Sequence, residues 1–320
     1  MSRWRVLITA PYAMPVLDRY RAELEPHDIE VVAATVHERL SEEELLPLVA
    51  DVDGVICGDD QFSERVLSAA PRLRVLSKWG TGIDSIDREA AARRGIRVCN
   101  TPNAFSEPVA DTVYAYMLSF ARHVASSDRE MKAGQWRKAQ LVSLGECVLG
   151  VVGVGDCGKA VVRRAGGFGL TVLGTDPVEP PADFVQTTGI EMVPLDELLR
   201  RADFVTLHTD LNPTSRHLIG REQLRLMKPT AYLINTSRGP VVDQGALVQA
   251  LQAAVIAGAA LDVFEDEPLP AGSPLLSMDN VLLSPHTANS SPAAAERVHE
   301  HTIANLLHAL EDGVPSAGNA

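Results

Sequence analysis

At 320 residues, the chain is longer than a single hydrophobic core usually requires, so two domains are expected. Its formal net charge of −13 is spread along the sequence, which argues against nucleic acid or an anionic membrane as a partner. The sequence has no stretch of about 18 uncharged apolar residues, so no transmembrane helix is expected. The four cysteines form no C-x-x-C pair, and we interpret them as reduced thiols of a cytoplasmic protein.

The first hundred residues alternate short apolar runs with helical patterns. This alternation predicts a parallel sheet with helices on both faces. Ser41 and Glu44 have the spacing of a capping box, which favours a helix start at this point. The predicted strands are Arg5–Thr9, Ile29–Ala33, Gly54–Ile56, Arg74–Lys78 and Arg97–Cys99, and the predicted helices are Pro15–Leu24, Glu42–Ala50, Glu64–Ala70 and Arg88–Arg94.

Residues 148–176 have the strand, turn, helix and strand of a dinucleotide-binding unit. A buried strand is predicted over Val148–Val152, and the turn after it has the pattern G-x-G-x-x-G. Gly153 permits the tight turn, Gly155 lets a pyrophosphate approach the backbone, and Gly158 lets the helix pack on the strand. The second strand ends at Asp176, 23 positions after the first glycine, close to the spacing of a ribose-binding carboxylate. A glycine turn alone could serve packing only, but this context favours a dinucleotide.

Strands and helices alternate after this unit as well. An apolar helix is predicted before it, over Pro108–Val124, and the last predicted helix begins with Pro292, a residue favoured in the first turn. We expect two doubly wound parallel-sheet domains, with a Rossmann domain at residues 101–291 inserted into a flavodoxin-like substrate domain at residues 1–100 plus 292–320. The other predicted strands are Phe204–Leu207, Ala231–Asn235, Ala259–Leu261 and Val281–Leu283, and the other predicted helices are Leu195–Arg200, Arg221–Met227 and Gln244–Val255.

Three polar segments follow predicted strands of the second domain, at the edge of a parallel sheet where ligands usually bind. Arg238 could grip a substrate carboxylate, but its position alone does not distinguish this from a surface arginine. Glu267 follows Asp262 in an acidic segment, and neighbouring carboxylates usually form a solvated loop. A lone histidine such as His286 is usually a satisfied polar residue, yet histidine is the side chain best suited to proton exchange near neutral pH.

An arginine, an acid and a histidine around a nicotinamide suit the interconversion of a 2-hydroxy acid and a 2-oxo acid. That reaction needs hydride transfer, proton transfer and a cation for the substrate carboxylate. Other chemistries fit less well. The sequence has neither G-x-S-x-G nor H-E-x-x-H, so no serine nucleophile of that type and no metal is expected. Ala160 lacks the hydroxyl that a P-loop places on Mg²⁺.

These segments together resemble the D-2-hydroxyacid dehydrogenase family, which includes phosphoglycerate dehydrogenases and glyoxylate/hydroxypyruvate reductases. The resemblance extends from about Val52 to His301. It is carried by Asn100-Thr101-Pro102-Asn103-Ala104 through Val109-Ala110-Asp111 and by the motifs INTSRG, LDVFEDEP and SPHTA.

The resemblance implies a role for each motif. Arg238, Glu267 and His286 would form a catalytic triad, with His286 as general acid and base and Arg238 on the substrate. The loop that receives the substrate carboxylate would contain Lys78, Gly80, Thr81 and Gly82. The residues implied in NAD binding are Gly153, Gly155, Asp156, Cys157, Gly158, Asp176, His208, Thr236, Ser237 and Asp262, the last of them toward the nicotinamide carboxamide.

Three acidic residues bear on the choice of ligand. Asp156 stands where the family often has arginine, so we expect it to point away from the pyrophosphate or to weaken cofactor affinity. Asp59 lies where phosphoglycerate dehydrogenases place arginines for a distal phosphate, which disfavours 3-phosphoglycerate. Asp176 would repel a 2′-phosphate, and no arginine follows it closely, so NAD is favoured over NADP.

We therefore expect an NAD-dependent D-2-hydroxyacid dehydrogenase that acts on a small 2-hydroxy or 2-oxo acid. The helix Pro108–Val124 resembles the element through which the family dimerises, so a homodimer is expected. A glyoxylate/hydroxypyruvate reductase and a 3-phosphoglycerate dehydrogenase proper are alternatives within the family. An alternative of another class is an NAD-sensing module that binds proteins, like the corepressors related to this family.

Overall fold

The computed structural model of the chain describes residues 3–311. These residues form two compact units, one from the described parts of Met1–Ala104 and Ser291–Ala320 and the other from Phe105–Ser290. Each unit contains a parallel β-sheet and its own set of helices. The predicted fold class, α/β with two doubly wound sheets, is confirmed. None of the helices in residues 3–311 combines the length and the hydrophobicity that a membrane-spanning helix requires.

The first unit contains a five-stranded sheet in which all strands are parallel. Its strands are β1 (Trp4–Ile8), β2 (Ile29–Ala33), β3 (Gly54–Cys57), β4 (Val75–Lys78) and β5 (Arg97–Cys99), and its helices are α1 (Leu17–Leu24), α2 (Glu42–Leu45), α3 (Glu64–Ser68), α4 (Arg88–Arg93) and the last helix of the chain, α12 (Pro292–Glu311). The strand order β2-β1-β3-β4-β5 is that of a flavodoxin-like sheet.

The second unit contains a seven-stranded parallel sheet. Its strands are β6 (Val148–Val152), β7 (Thr171–Thr175), β8 (Glu191–Met192), β9 (Phe204–Leu207), β10 (Tyr232–Asn235), β11 (Gly258–Leu261) and β12 (Val281–Leu283), and its helices are α5 (Ser106–Ala121), α6 (Val124–Lys132), α7 (Asp156–Phe168), α8 (Ala182–Thr188), α9 (Leu195–Arg201), α10 (Arg221–Leu226) and α11 (Gln244–Gln252). The order β12-β11-β10-β9-β6-β7-β8 reverses direction at β6, as in a Rossmann sheet.

Several predicted helices end earlier than their patterns indicated, and for two of them the local cause is visible. The predicted helix Pro108–Val124 is interrupted at Arg122 and His123, where His123 takes a left-handed conformation with φ of 53° before α6 begins. The predicted helix Glu42–Ala50 stops at Leu45: the backbone of Leu46 is still helical, but Pro47 has no N–H with which to continue the helical hydrogen bonds. The short elements α8 and β8 were not predicted.

Both faces of the second sheet are covered, because side chains alternate between faces along each strand. Leu149 and Val151 of β6 pack with residues of α5 and α7, such as Met117 and Val161. On the opposite face, Val205 lies in a second apolar cluster with residues of α9, α10 and α11. The carboxyl edge of this sheet is therefore held on a core that is packed from two sides.

In both sheets, an aspartate joins two adjacent strands at the edge where the strands begin. Asp53 directly precedes β3, and its carboxylate accepts the N–H of Arg5 in the neighbouring β1 at 2.9 Å. Asp203 directly precedes β9, and its carboxylate accepts the N–H of Val148 in the neighbouring β6 at 2.9 Å. Asp203 also accepts the ammonium of Lys228 at 2.7 Å. In each sheet, one acid therefore connects the beginnings of two adjacent strands near its centre.

Removal of this connection is expected to destabilise the second unit. Asp203→Ala leaves the Val148 N–H and the Lys228 ammonium without their acceptor, and it should lower the free energy of unfolding by about 1–3 kcal/mol. Urea unfolding followed by circular dichroism measures the change. Asp196→Ala is the control, since it removes an exposed acid that pairs with Arg200 within α9 and should cost about 0.5 kcal/mol or less. Equal unfolding midpoints for the two variants would contradict the stabilising role of Asp203.

Candidate active site

Close backbone contacts shape the turn between β6 and α7. Gly153 has a φ of 91°, and a Cβ at this residue would lie 2.7 Å from the carbonyl oxygen of His208. A Cβ on Gly158 would lie 2.0 Å from the carbonyl oxygen of Gly153, so only glycine lets the helix pack this closely. Among the described residues, nothing lies within 4 Å of the position of a Cβ on Gly155. Gly155 therefore borders open space at the first turn of α7, where N–H groups and the helix dipole favour an anion.

Two side chains in the first turn of α7 lie in different surroundings. Asp156 is the first residue of the helix and is exposed. An acid at this position interacts favourably with the partial positive charge at the N-terminal end of the helix. It would therefore compete with a pyrophosphate for that positive charge. The Cys157 thiol lies 3.7 Å from the hydroxyl of Ser106, and its burial raises the pKa of the thiol. Cys157 can therefore offer its backbone N–H, while its side chain packs toward α5.

Two backbone amides fix the carboxylate of Asp176 beside this turn. Its Oδ2 accepts the N–H of Val154 at 2.7 Å, and its Oδ1 accepts the N–H of Val178 at 2.8 Å. Asp176 directly follows β7 and remains partly exposed. Because an ionised carboxylate has about four lone-pair directions, it retains capacity for hydroxyl groups of a ligand.

Two buried threonine hydroxyls near the ends of β9 and β10 have no hydrogen-bond partner within residues 3–311. They belong to Thr209 and Thr236. Because buried hydroxyls are nearly always hydrogen bonded, each marks a place where a ligand or water supplies the partner. The neighbouring His208 lies with its Nε2 3.0 Å from the hydroxyl of Thr206, and burial lowers the pKa of its imidazole to about 4. His208 is therefore neutral at neutral pH.

These features fit a bound dinucleotide. Open space at a helix N-terminus, a fixed carboxylate and two unsatisfied hydroxyls all lie at the carboxyl edge of one parallel sheet, around the strand at which its order reverses. This is where dinucleotides bind in such sheets. No group of His, Cys, Asp and Glu side chains in residues 3–311 is arranged to hold a metal ion.

Asn235 holds the turn that carries Arg238. Asn235 is the last residue of β10 and is 1% exposed. Its Nδ2 donates to the Arg238 carbonyl oxygen at 2.9 Å, and its Oδ1 accepts the N–H and the hydroxyl of Ser237 at 3.0 and 2.8 Å. Ser237 thereby helps to fix the turn, in addition to its predicted cofactor role. We did not predict Asn235 as a functional residue, although a polar residue at the end of an apolar strand was a usable signal.

Glu267 and His286 form a hydrogen-bonded pair after β11 and β12. His286 Nδ1 lies 2.9 Å from Glu267 Oε2, and the two side chains are 22% and 19% exposed. The other carboxylate oxygen of Glu267 accepts the N–H of Phe264 at 2.9 Å. This second bond holds the carboxylate in place, so the orientation of the imidazole is fixed in turn. The structure brings the predicted acid and histidine together, while their catalytic roles stay predictions.

Asp262 has partners that the sequence did not indicate. It directly follows β11 and is 1% exposed. Its carboxylate accepts the N–H groups of Thr287 and Ala288, each at 2.9 Å, and the hydroxyl of Ser284. The predicted contact between Asp262 and a nicotinamide stays a prediction, and the carboxylate has a structural function besides it.

In the first unit, the predicted substrate loop follows β4. Lys78 ends this strand with its side chain 4% exposed, and its Nζ lies 2.9 Å from Asp59 Oδ1. Gly80 has a φ of 131°, and its carbonyl oxygen accepts the N–H of Thr101 at 2.9 Å. The Thr81 hydroxyl donates to the carbonyl oxygen of Thr101, also at 2.9 Å. The loop is therefore tied to residue 101, and an acid offsets the charge of its buried lysine.

Comparison with known proteins agrees with this geometry. The sequence model described as D-isomer specific 2-hydroxyacid dehydrogenase, NAD binding domain, matches residues 114–288. The glyoxylate reductase of Korarchaeum cryptofilum is 43% identical over 282 residues, which are 86% of this chain and 85% of that protein. The chain belongs to the D-isomer specific 2-hydroxyacid dehydrogenase family.

Two further proteins are similar to this dehydrogenase. The D-3-phosphoglycerate dehydrogenase of Methanocaldococcus jannaschii is 41% identical over 269 residues, which are 83% of this chain but only 51% of that protein. The crystal structure of D-lactate dehydrogenase from Aquifex aeolicus, complexed with NAD and lactic acid, superposes with a TM-score of 0.88 at 26% identity, covering 99% of this chain and 100% of that one.

The predicted family, enzyme class and cofactor are confirmed. This dehydrogenase is an oxidoreductase that acts on the CH–OH group of donors with NAD as cofactor. Its substrate is a small 2-hydroxy acid or the corresponding 2-oxo acid.

The carboxylate of Asp176 is expected to set the preference of this dehydrogenase for NAD. Asp176→Asn removes the negative charge that would repel a 2′-phosphate, so the ratio of kcat/KM for NADPH to that for NADH should rise at least ~10-fold. Steady-state kinetics with both cofactors measure this ratio. Glu179→Gln makes the same charge change at an exposed residue three positions away and should leave the ratio unchanged. Indistinguishable ratios in the two variants would show that selection lies elsewhere.

Proposed function

We propose that this dehydrogenase reduces small, unphosphorylated 2-oxo acids such as glyoxylate and hydroxypyruvate, and oxidises the corresponding D-2-hydroxy acids. The observation that carries the proposal is the fixed Glu267–His286 pair, which lies at the same sheet edge as the dinucleotide turn. In this proposal, the unit Phe105–Ser290 binds NAD, and the unit with the loop after β4 binds the substrate.

His286 is the proposed general acid and base. Its Nδ1 faces Glu267, so the opposite ring nitrogen, Nε2, is the atom that exchanges a proton with the substrate oxygen. The Glu267 carboxylate holds the ring and offsets the positive charge that the imidazole carries when it is protonated. Arg238 grips the substrate carboxylate and polarises the adjacent carbonyl group.

The proposed cofactor contacts come from the carboxyl edge of the second sheet. The N–H groups of the turn Gly153–Gly158 and of the start of α7 would receive the pyrophosphate, and Asp176 would receive the adenosine ribose. Thr236, Ser237 and the backbone of His208 lie at the ends of β9 and β10, and Asp262 lies at the end of β11. When NAD is bound there, it supplies the hydride acceptor or donor of the reaction.

The pair of Lys78 and Asp59 supports a substrate without a distal phosphate. The Lys78 ammonium is almost fully buried and already paired, whereas the Asp59 carboxylate is 41% exposed. A phosphate that approached Lys78 would meet this carboxylate, and like charges a few ångströms apart repel each other by about 1–4 kcal/mol at or near a protein surface. A phosphoglycerate dehydrogenase proper is therefore the weaker candidate.

Removal of the His286 imidazole tests the proposal. His286→Ala is expected to lower kcat for glyoxylate reduction by at least ~100-fold with little change in NADH affinity, because the proton donor is lost and the cofactor contacts are not. NADH oxidation at saturating glyoxylate measures kcat, and fluorescence titration measures NADH binding.

His217→Ala is a matched control for this test. Like His286, with a φ of 52°, His217 has a positive φ, of 53°, and its Nε2 lies 2.7 Å from a carboxylate oxygen of Glu265 in the same unit. The control should keep kcat within about twofold of wild type, since surface changes away from the chemistry cost little. Equal activity of His286→Ala and wild type would show that His286 has no part in the mechanism.

If wild type binds NADH tightly but turns over no 2-oxo acid, the NAD-sensing, corepressor-like module becomes the better explanation.

We also propose that the dehydrogenase is a homodimer, through a different surface from the one that the sequence indicated. The apolar residues of α5 are largely buried within their own unit, for example Val113 and Met117 at 0% exposure. Large apolar side chains that remain exposed are instead concentrated in residues 124–142, at Val124, Met131, Trp136 and Val142. Exposed apolar side chains concentrated in this way often mark an interface.

Light scattering at micromolar concentration tests this arrangement. Wild type should have twice the mass of one chain, and Trp136→Glu should shift the population toward the monomer, because a charge would be buried without a partner. Val178→Glu, which changes another exposed apolar residue, should leave the dimer population unchanged. A monomeric wild type would refute the dimer.

A further inference from the structure

The turn that carries His286 is held by a neighbouring strand end. β11 and β12 pair so that Leu261 lies opposite Leu283, and the residues that follow them are Asp262 and Ser284. The His286 N–H donates to the Asp262 carbonyl oxygen at 2.8 Å. The Asp262 carboxylate accepts three further hydrogen bonds from residues 284–288, as described above. One acid thus connects to the turn on both sides of His286.

This turn requires external support because of the backbone conformation of His286. His286 has a φ of 52°, in the left-handed region that residues with a side chain rarely adopt. Such conformations are energetically unfavourable, and they persist when surrounding contacts determine them. The bonds from Asp262 to both sides of this residue are contacts of that kind.

The network extends beyond Asp262 to helix α5. The hydroxyl of Tyr116 is hydrogen bonded to the hydroxyl of Ser284, which is bonded to the Asp262 carboxylate. An ionised carboxylate only accepts, so Ser284 donates its single hydroxyl hydrogen to Asp262, and Tyr116 must donate to Ser284. Tyr116 is 9% exposed, and burial raises the pKa of its phenol, so this donor is present at neutral pH. The two hydrogen bonds therefore run in one direction: Tyr116 donates to Ser284, and Ser284 donates to Asp262.

We propose that Tyr116 and Ser284 are positioning residues for proton transfer: they fix the Asp262 carboxylate, and Asp262 holds the turn that orients His286. The inference rests on the proposed role of His286. The three donors occupy three of about four lone-pair directions on the Asp262 carboxylate. One direction remains for a further donor, so the positioning role is compatible with the predicted nicotinamide contact.

Loss of either hydroxyl should reduce turnover while cofactor binding is kept. Ser284→Ala removes a donor to Asp262 and leaves the buried Tyr116 hydroxyl without its acceptor, so we expect kcat to fall about 10-fold. Tyr116→Phe keeps the Ser284 donor and removes only the outer bond, so we expect a fall of about 3-fold. The KM for NADH should stay within about twofold of wild type in both variants, because the effect acts on the orientation of His286 rather than on the open turn at Gly155.

A double-mutant cycle and a matched control separate this role from general stability. If the two hydroxyls act in series, kcat of the double variant Tyr116→Phe/Ser284→Ala should be no lower than that of Ser284→Ala, because the double variant leaves no buried tyrosine hydroxyl without an acceptor. Ser284→Thr keeps a hydroxyl and should restore most of kcat. Tyr114→Phe removes another buried hydroxyl of α5, which donates to the carbonyl oxygen of Val161 at 2.8 Å, and should lower the melting temperature without lowering kcat.

The outcomes distinguish this inference from the proposed function. A kcat loss that is specific to the Ser284 and Tyr116 variants, non-additive and rescued by threonine supports the inference. Independent effects in the double variant, or a Tyr114→Phe variant that loses as much kcat as Tyr116→Phe, would overturn it while His286→Ala still supports the proposed function. If the wild type reduces no 2-oxo acid, both the proposed function and this inference are wrong.

Discussion

All strands of the second sheet run parallel, and this constraint brings together residues that are far apart in sequence. The carboxyl ends of parallel strands share one edge, so the segments after them face the same side of the sheet. The glycine turn follows β6, Asp176 follows β7, and the segments with Arg238, Glu267 and His286 follow β10, β11 and β12. The glycine turn and the hydrogen-bonded pair of Glu267 and His286 therefore lie at one edge without any long loop to carry them.

Fixed orientation at that edge comes from two acids and one amide at or just past the strand ends. Asn235 ties the turn of Arg238, Asp176 ties the glycine turn, and Asp262 ties the turn of His286. Each group makes at least two hydrogen bonds to backbone atoms, which are less mobile than side chains. The side chains that are expected to meet the substrate are thus oriented before a ligand arrives, and this preorganisation is a principal source of catalytic power.

The sequence was sufficient for features that depend on local pattern. Buried parallel strands are continuous apolar runs, so most strands were placed within one or two residues, and the glycine spacing identified the turn. The hydrogen bond between Tyr116 and Ser284 could not be predicted, because it joins residues 168 positions apart and an apolar helix gives no sign that one tyrosine has a polar partner. The break after α5 depends on the left-handed backbone of His123, which helical periodicity does not report.

Acidic residues explain how this chain can differ from similar enzymes with the same architecture. Asp156 occupies the helix end at which we propose that a pyrophosphate binds, and Asp59 neutralises the buried Lys78 of the proposed substrate loop. The sequence predicted both acids as departures from the family pattern. The pairing of Asp59 with Lys78 and the almost complete burial of that lysine required the structure, because they depend on the alignment of β3 with β4.

The most direct test compares hydroxypyruvate with its 3-phosphorylated form as oxidants of NADH by the wild-type enzyme. The two substrates share the reacting 2-oxo acid and differ only in the distal group. If His286 transfers the proton and Asp59 faces the distal group, both glyoxylate and hydroxypyruvate should be reduced, and kcat/KM should be at least ~10-fold higher for hydroxypyruvate than for the phosphorylated acid. A preference for the phosphorylated acid, or no NADH oxidation with any of the three, would contradict the account.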